Sequence, residues 1–390
     1  MLMRLYEYEA MDLFETIKIP VPRRGLAETV EGAIRMAETI GYPVVAKAQV
    51  LVGGRGLAGG IKTASNAKEL QSITETLLAS EIRGLPVRKI LVMEKVEIIK
   101  EFYLGITVDG YSGRPVIVAS LEGGIHIEET ARSAIEKITS LRMDPFQSFS
   151  ADQGRTLFEK FGLESNLLIA WTEVLVKLYH MFTRYEALLA EINPLVLLPD
   201  QSLLAVDAVV ELDDSALSRI TCPLPDRLER IENTIERRAR EIGVTYVDLD
   251  GDIGLISSGA GLGMASIDLI GKKMKPANFL ETGGGITEQL LYDCMGLILM
   301  KENLRGILIN LYGGINPIHE GARGIARYIT EHNVKIPIVA KALGNHQEET
   351  WEIFRSAGVH VVTEPSTEKA VEQLFERVRK EEALRIRESS

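Results

Sequence analysis

The segment DIGLISSGAGLGM, residues 252–264, decides the fold of the second half of the chain. Its apolar run predicts a short buried strand, and the small residues after it lead into a helical pattern. Four later segments repeat this order, with helical stretches between them: ANFLETGGG, RGILINLYGGIN, IPIVAKALGN and VHVVTEP. Strands that alternate with helices predict a doubly wound parallel sheet.

Small and polar residues follow four of these five strands. In an open parallel sheet, ligands collect beyond the carboxyl ends of the strands. The four loops are Ser257–Gly261, Thr282–Gly285, Tyr312–Asn316 and Gly344–His346. Glycine lets backbone N–H groups approach an anion, and the helix that follows adds a positive dipole end. One such loop can be a plain tight turn, but four at one edge favour a phosphate or carboxylate site.

The first half carries a different pattern. RKILVMEKVEI, EFYLGITVDG and RPVIVASLEGG predict strands, and residues 152–186 predict helix. Together they indicate a mostly antiparallel α+β domain. A length of 390 residues fits two or three domains. We place the domains at residues 1–238 and 239–390, with a charged connecting helix at about residues 223–241.

Composition narrows the class of protein. The net charge of −11 argues against a general nucleic-acid binder, although local dipoles can still bind small anions. The N-terminus lacks the pattern of a signal peptide, and no apolar stretch approaches the ~20 residues that span a bilayer. Cys222 and Cys294 match no metal spacing and suit a reducing compartment, and we expect both to be unreactive thiols. We expect a cytoplasmic protein that binds neither nucleic acid nor membrane.

A lysine and a glycine-rich loop suggest a nucleotide site in the first half. Lys47 interrupts the apolar strand PVVAKAQ, and the loop GGRGLAGG, residues 53–60, follows it. The ammonium group, the guanidinium of Arg55 and the loop N–H groups can hold nucleotide phosphates. The alternative is that Lys47 reaches out to a sheet edge. The loop is not a Walker motif, because Gly-Lys-Ser/Thr is absent.

Three glutamates lie farther along the same half. The segment VMEKVEIIKEFYLG places Glu94, Glu97 and Glu101 between two strands. A carboxylate at a strand end can accept hydrogen bonds from adenine N6 or from ribose hydroxyls. Each of the three can equally be a solvated surface charge.

The segment AEINPLVLLPDQSLLAVDA, residues 190–208, predicts a hairpin that carries oxygen ligands. With the turn centred on Asp200 and Gln201, Asn193 lies nearly opposite Asp207, and Glu191 shares its face. Mg²⁺ takes a few protein oxygens and keeps room for phosphates, so this face suits a magnesium–nucleotide complex. The alternative is an exposed polar sheet face.

Nearly the whole chain resembles the β subunits of succinyl-CoA synthetase, the ADP- or GDP-forming succinate–CoA ligases. The segments that carry the resemblance are YEYEAMDLFETIKIPVPR, AKAQVLVGGRGLAGGIK, KEFYLGITVD, EINPLV with AVDA, GDIGLISSGAGLGMA, ANFLETGGG and ILINLYGGI. The resemblance implies an ATP-grasp domain followed by a flavodoxin-like CoA-ligase domain. It also implies an acid–thiol ligase that uses ATP or GTP.

The resemblance implies roles for individual residues. The resemblance implies that the nucleotide phosphates are bound by Lys47, Gly54, Arg55 and Gly56. It implies that base and ribose are bound by Glu94, Glu97 and Glu101. The Mg²⁺ ligands are Asn193 and Asp207, and Glu191 is a catalytic residue near the phosphohistidine. The organic acid and phosphate are expected to bind at the turn formed by Gly314, Ile315 and Asn316.

The family reaction requires a second polypeptide. Family members form an acyl phosphate, and its phosphoryl group passes through a histidine of the α subunit, which also binds CoA. None of the six histidines here lies in the Gly-His-Ala-Gly setting of that subunit. The resemblance therefore implies an α partner, in an αβ or α2β2 assembly.

The acid-binding edge departs from the family pattern. Ser258 stands where succinate-specific members usually have asparagine, and Asn316 and Pro317 follow the Gly-Gly-Ile turn. We expect an acid that is succinate or a relative such as malate, citrate or sulfoacetate. Two other interpretations remain open: a stand-alone ATP-grasp ligase that forms an amide, and a non-catalytic nucleotide-binding regulatory module.

Overall fold

The computed structural model describes residues 2–124, 137–147, 149–163, 165–220, 230–231 and 233–388. Contacts between Cα atoms divide the chain into two compact units, Met1–Pro223 and Leu224–Ser390. The boundary predicted after residue 238 lies within the helix Thr234–Ile242 of the second unit. The position of the domain boundary stays a prediction.

The first unit combines helices with many short strands. Its helices are α1 (Glu7–Thr16), α2 (Val30–Ile40), α3 (Ala67–Leu78), α4 (Ala151–Glu159) and α5 (Ser165–Arg184). Its strands are β1 (Leu2–Arg4), β2 (Arg24–Ala27), β3 (Val44–Ala48), β4 (Ile61–Ala64), β5 (Glu81–Ile82), β6 (Leu85–Pro86), β7 (Ile90–Glu94), β8 (Lys100–Val108), β9 (Pro115–Ser120), β10 (Ile138–Arg142), β11 (Ala187–Leu197), β12 (Leu203–Ala205) and β13 (Val209–Asp213).

Antiparallel pairing builds the sheets of the first unit. Among the described residues, one sheet has the order β1-β13-β11-β8-β9-β10, with β12 paired to β11. A second sheet has the order β2-β7-β3-β4, and β5 pairs with β6. All of these pairs are antiparallel. The prediction of an antiparallel α+β domain is confirmed.

Strand β3 explains how a lysine reaches the interior. Val44, Ala46 and Ala48 belong to a buried core that also contains apolar residues of α2 and α3. Successive side chains of a strand point to opposite faces of the sheet. Lys47 therefore points away from the two helices, toward the other side of the sheet.

The hairpin formed by β11 and the strands after it has the predicted register. Leu195 pairs with Ala205, and Glu191 pairs with Val209. The short segment between β12 and β13 contains Asp207, at the position that matches Asn193 on β11. The pairing of β11 with β8 shifts register between Ile192 and Leu195, so Asn193 lies in a local irregularity. Such bulges redirect side chains near functional sites.

The second unit alternates strands and helices. Its strands are β14 (Thr245–Asp248), β15 (Ile253–Ser257), β16 (Asn278–Glu281), β17 (Gly306–Gly313), β18 (Ile338–Gly344) and β19 (His360–Val362). Its helices are α6 (Thr234–Ile242), α7 (Ala260–Gly271), α8 (Glu288–Leu299), α9 (Ile318–Glu331), α10 (Gln347–Ser356) and α11 (Thr367–Glu388). Helix α6 forms the end of the predicted connecting helix, and residues 221–229 and 232 lie outside the described residues.

The sheet of this unit has the order β14-β16-β15-β17-β18-β19. The five predicted strands pair in parallel, and their order is that of flavodoxin-like sheets. Strand β14 was not predicted, and it pairs antiparallel with β16 at the edge. The prediction of a doubly wound parallel sheet is confirmed, with one added edge strand.

Buried strand residues alternate between two cores on opposite faces of this sheet. Ile256 and Ile309 belong to a core that also holds residues of α8, α9 and α10. Leu255 and Leu308 belong to a core with residues of α7 and α11. Because both faces are covered by helices, most buried residues of these strands are apolar, as in other parallel sheets, and Asn310 and Lys341 are buried exceptions.

Candidate functional site

A cavity of about 630 Å³ lies in the first unit. Seven of the predicted nucleotide, metal and catalytic residues line it: Lys47, Gly54, Arg55, Gly56, Glu191, Asn193 and Asp207. These residues come from β3, the loop after it, β11 and the segment between β12 and β13. The fold thus brings together positions that are far apart in the chain: Lys47 and Asp207, 160 residues apart, line the same cavity.

A buried carboxylate, Glu7 of α1, organises the floor of this cavity. Its oxygens accept hydrogen bonds from Lys47 Nζ and from Arg55 Nη1, each at 2.7 Å. Gln49 also donates to it, at 3.2 Å. Burial alone would raise the pKa of Glu7, but the charges of Lys47 and Arg55 lower this pKa to about 2. Glu7 therefore stays ionised and holds both cations in place.

Arg55 links this carboxylate to the hairpin. Its Nη2 donates to Asp207 Oδ1 at 2.9 Å, while Nη1 is on Glu7. Lys47 Nζ also donates to the carbonyl oxygen of Val206 at 2.6 Å. The two carboxylates raise the pKa of Arg55, against the opposing effect of burial. The guanidinium thus ties α1, the glycine-rich loop and the hairpin together.

The glycine-rich loop presents backbone donors to the cavity. Residues 53, 54 and 56 are exposed, whereas Arg55 between them is buried. Within the described part of the chain, the backbone N–H groups of residues 53–57 donate no hydrogen bond. Gly54 has a φ of +72°, a conformation that favours glycine. Free N–H groups in a loop of this kind suit the oxygens of a phosphate.

Three oxygen-bearing side chains lie on the hairpin side of the cavity. Asn193 Oδ1 accepts from the N–H of Gly124 at 2.7 Å, and Glu191 Oε2 accepts from the hydroxyl of Tyr103 at 3.2 Å. Asp207 Oδ1 accepts from Arg55 and from the N–H of Ala208. Among the described residues, the hydrogen bonds of Asp207 all fall on Oδ1, which leaves Oδ2 for another partner.

The oxygens of these three side chains are suitable ligands for a hard cation such as Mg²⁺. Burial raises the pKa of both Glu191 and Asp207, and the charge of Glu7 raises that of Asp207 further. A carboxyl pKa raised by burial means that the ionised form has lost its stabilising contact with water, which a nearby positive charge can replace. Mg²⁺ prefers carboxylate and amide oxygens and would supply that charge. Asn193 and Asp207 are therefore suited to hold magnesium.

The three glutamates predicted to contact base and ribose lie outside the lining of this cavity. Glu94 accepts two hydrogen bonds from Arg23, both at 2.9 Å, which lower its pKa. Glu97 and Glu101 are exposed. Their role in nucleotide binding stays a prediction.

The second unit brings its four polar loops to one edge of the sheet, where β15, β16, β17 and β18 end. The hydroxyl of Ser258 accepts from the N–H of Tyr312 at 2.8 Å and donates to its carbonyl oxygen at 3.1 Å. The side-chain amide of Asn316 donates to the carbonyl oxygen of Gly284. That of Asn345 donates to the carbonyl oxygen of Ile315 at 3.1 Å. The loops are thus bound to one another.

Helices α7, α9 and α10 begin at this edge, directly after their loops. Pro317 is the residue before α9, where its missing N–H costs no helical hydrogen bond. Ile315 is 90% exposed, so the Gly314–Asn316 turn is open to a ligand. Backbone N–H groups at such helix starts attract anions. The predicted acid-binding residues, including Ser258, share this edge.

Two other predictions concern reactivity and membranes. Cys294 is buried, and burial raises the pKa of its thiol to about 12, as expected for an unreactive thiol. Cys222 and His126 lie outside the described residues. No described helix is both long and apolar enough to cross a bilayer.

Comparison with known proteins identifies relatives over nearly the whole chain. Residues 4–197 match the ATP-grasp domain family, and residues 256–375 match the CoA-ligase family. The β subunit of the GDP-forming succinate–CoA ligase of Thermus thermophilus is 39% identical over 360 residues, 92% of this chain and 95% of that protein. The β subunit of the ADP-forming enzyme of Methanothermobacter thermautotrophicus is 40% identical over 372 residues, 95% of this chain and 99% of that protein.

The fold also matches a solved structure. ATP citrate lyase from Methanothrix soehngenii, in complex with citrate and coenzyme A, aligns with a TM-score of 0.73. The alignment covers 93% of this chain and 95% of that chain, at 17% sequence identity. At this identity the match supports the order of the two folds, an ATP-grasp domain and then a CoA-ligase domain.

Proposed function

The chain belongs to the family of succinate–CoA ligase β subunits, acid–CoA ligases that form a nucleoside diphosphate, and from this premise we propose how its two units divide the reaction. The cavity of the first unit binds the nucleoside triphosphate with magnesium. The loop edge of the second unit binds the organic acid. The observation that carries the proposal is one cavity lined by Lys47, by residues 53–57 and by the Asn193–Asp207 pair. The backbone N–H groups of residues 53–57 donate no hydrogen bond to any described residue.

The phosphates lie against the glycine-rich loop in this proposal. The N–H groups around Gly54, Arg55 and Gly56 donate to phosphoryl oxygens, and Lys47 supplies positive charge beside them. The guanidinium of Arg55 holds the loop in position through Glu7 and Asp207. Positioning and charge stabilisation are the main contributions that proteins make to phosphoryl transfer.

Asn193 and Asp207 hold magnesium, and Glu191 faces the group that receives the phosphoryl. Magnesium, when bound, neutralises phosphate charge and orients the transferred group. Burial raises the pKa of Glu191, so it holds a proton at a higher pH than an exposed glutamate, which suits a group that exchanges protons during transfer. In this proposal base and ribose are contacted by Glu94, Glu97 and Glu101. The nucleotide is ATP by default, with GTP as the alternative.

A carboxylate is a poor electrophile, so it must be phosphorylated before a thiol can attack it. In this proposal a histidine of an α subunit carries the phosphoryl group, and the same subunit binds CoA. The assembly is αβ or α2β2 and lies in the cytoplasm. The family match over both domains disfavours a stand-alone amide ligase and a non-catalytic regulatory module.

The acid lies at the edge formed by Ser258, Gly314, Ile315 and Asn316. Helix starts and loop N–H groups can hold a carboxylate or a phosphate there. Ser258 joins the loop after β15 to the end of β17, and Asn316 adds a polar group. The acid is succinate or a relative such as malate, citrate or sulfoacetate.

Purification with the natural partner tests this function. We expect CoA-dependent formation of ADP or GDP with one of the four acids, and a phosphorylated histidine on the partner after incubation with nucleotide alone. The isolated chain should form no thioester. Full activity of the chain by itself, or no CoA-dependent activity with any acid, would contradict the proposal.

A further inference from the structure

Two histidines and a glutamate meet where α9 and α10 begin. His319 is the second residue of α9, and His346 directly precedes α10, which contains Glu349. Glu349 Oε2 lies 4.0 Å from His319 Nε2 and 3.5 Å from His346 Nδ1, and the two rings are 4.4 Å apart. Arg323 donates to the other oxygen of Glu349, Oε1, at 2.7 Å. Oε2 is therefore the oxygen that faces the two rings.

The surroundings of His319 decide which of its nitrogens carries the proton. Its side chain is only 13% exposed, and its Nδ1 is buried without a hydrogen-bond partner among the described residues. Its Nε2 faces a carboxylate oxygen. A lone pair on Nε2 would oppose the lone pairs of Glu349, whereas an N–H there would point toward an acceptor. The neutral ring is therefore protonated on Nε2, which makes it a donor.

The gap between His319 and Glu349 fits one oxygen atom. At 4.0 Å the two atoms are too far apart for a direct hydrogen bond. An oxygen about 2.8 Å from each would make an angle of about 90° between them. That oxygen must accept from Nε2–H and donate to Oε2. A hydroxyl group does both and can take the place of a bridging water molecule, whereas a carboxylate oxygen cannot donate and would be repelled by Glu349.

The same tautomer argues against a metal ion bound by the three side chains. A metal would need the lone pair of His319 Nε2, which would place the N–H on the buried and unpartnered Nδ1. Histidine ligands of metals almost always donate that other N–H to a partner. The cluster is better suited to a hydrogen-bonded hydroxyl.

The cluster adjoins the edge where the proposed function places the organic acid. His319 lies three residues after Asn316, and Asn345, next to His346, donates to the carbonyl oxygen of Ile315. We propose that His319 and Glu349 form a hydroxyl-binding subsite, so that the acid is a short hydroxy acid; this inference rests on the proposed function. His346 packs on the ring of His319 and closes one side of the subsite.

Succinate and malate, which differ by one hydroxyl group, are the probes that test this inference. With the chain and its α partner, we expect kcat/KM for one enantiomer of malate to exceed that for succinate by about tenfold or more, because a site built for a hydroxyl leaves its polar groups unpaired without one. His319→Leu removes the donor and should reduce that ratio by about tenfold. His319→Gln retains a donor at similar reach and should restore part of it.

His332→Leu is the matched control, at the opposite end of the same helix. It should leave the malate-to-succinate ratio unchanged, and thermal unfolding should show that all three variants are folded. A ratio near one in the unaltered enzyme, or a ratio that His319→Leu does not change, overturns the hydroxyl subsite while leaving the proposed ligase intact. Absence of CoA-dependent activity with every acid overturns the proposed function itself.

Discussion

The two candidate sites are built from different kinds of groups. In the first unit, Glu7, Lys47 and Arg55 are charged side chains at 3%, 6% and 8% exposure, held in fixed pairs beneath the cavity. In the second unit, the edge relies on backbone groups, helix starts and neutral side chains such as Ser258 and Asn316. A buried charge network depends on each of its members, because removing one leaves another charge uncompensated. The loop edge would bind its ligand through many weak contacts. A single substitution there should therefore reduce stability and affinity less than one in the buried network.

The largest effect should come from the buried network. Glu7→Ala leaves Lys47 and Arg55 without their shared carboxylate, and we expect a loss of about 3–5 kcal/mol in the free energy of unfolding. Glu15→Ala, which removes an exposed carboxylate of the same helix paired with Arg24, should cost less than about 1 kcal/mol. Urea denaturation of both variants measures the difference. Equal losses in the free energy of unfolding would show that the buried network stabilises the fold no more than an exposed ion pair does.

Magnesium binding should depend on pH in the cavity of the first unit. Burial raises the pKa of Asp207, so this group holds a proton at a higher pH than an exposed aspartate, whose pKa is about 3.9. Since magnesium requires the ionised form, affinity for the magnesium–nucleotide complex should fall as pH decreases through the raised pKa.

Calorimetry in buffers of different ionisation enthalpy measures the protons released on binding. Glu191→Gln separates the two carboxyls whose pKa burial raises, because it leaves only Asp207 to titrate. We expect proton release to persist in that variant. Affinity that is constant with pH would contradict the magnesium assignment of Asp207.

A smaller effect is expected at the loop edge. Ser258→Ala removes a hydroxyl that makes two hydrogen bonds between the loop after β15 and Tyr312 near the end of β17. We expect a loss of about 1–2 kcal/mol in stability and a KM for the acid that rises several-fold. Ser356→Ala, which removes an exposed hydroxyl at the end of α10, should change neither quantity. A loss as large as that of Glu7→Ala would remove the contrast between the two sites.

The smallest effects concern the glutamates outside the cavity lining. If Glu97 and Glu101 contact base and ribose, Glu97→Gln and Glu101→Gln should each raise the KM for the nucleotide by about three- to tenfold, with kcat preserved. Comparison of ATP with GTP in each variant shows which one contacts the base. Unchanged KM values for both nucleotides would remove these residues from the site.

The sequence predicted the parts of the site that depend on local pattern. The register of the hairpin followed from its turn, which placed Asn193 beside Asp207. The five parallel strands followed from alternation with helices. The pairing of Glu94 with Arg23 was not predictable in this way, because it joins the end of β7 to the residue before β2, and the pattern leaves the order of these strands open.

Two features were missed for different physical reasons. Strand β14 is four residues long and follows a charged helix, so its pattern was too short to separate from a loop. Glu7 was overlooked because α1 carries several acidic residues. Its position in the helix does indicate burial, because Glu7, Ala10, Met11 and Phe14 share one helical face, and all four are buried. An acidic residue on an apolar face indicates a buried partner.

The central claim is that Asp207 holds the cation that accompanies the nucleotide. Its most direct test is the rate at which ATP or GTP phosphorylates the partner subunit, measured for Asp207→Asn and for Asp200→Asn on the exposed turn of the same hairpin. We predict a loss of about a hundredfold or more for Asp207→Asn and a change within about twofold for Asp200→Asn, with both variants folded. Equal rates in the two folded variants would contradict the account.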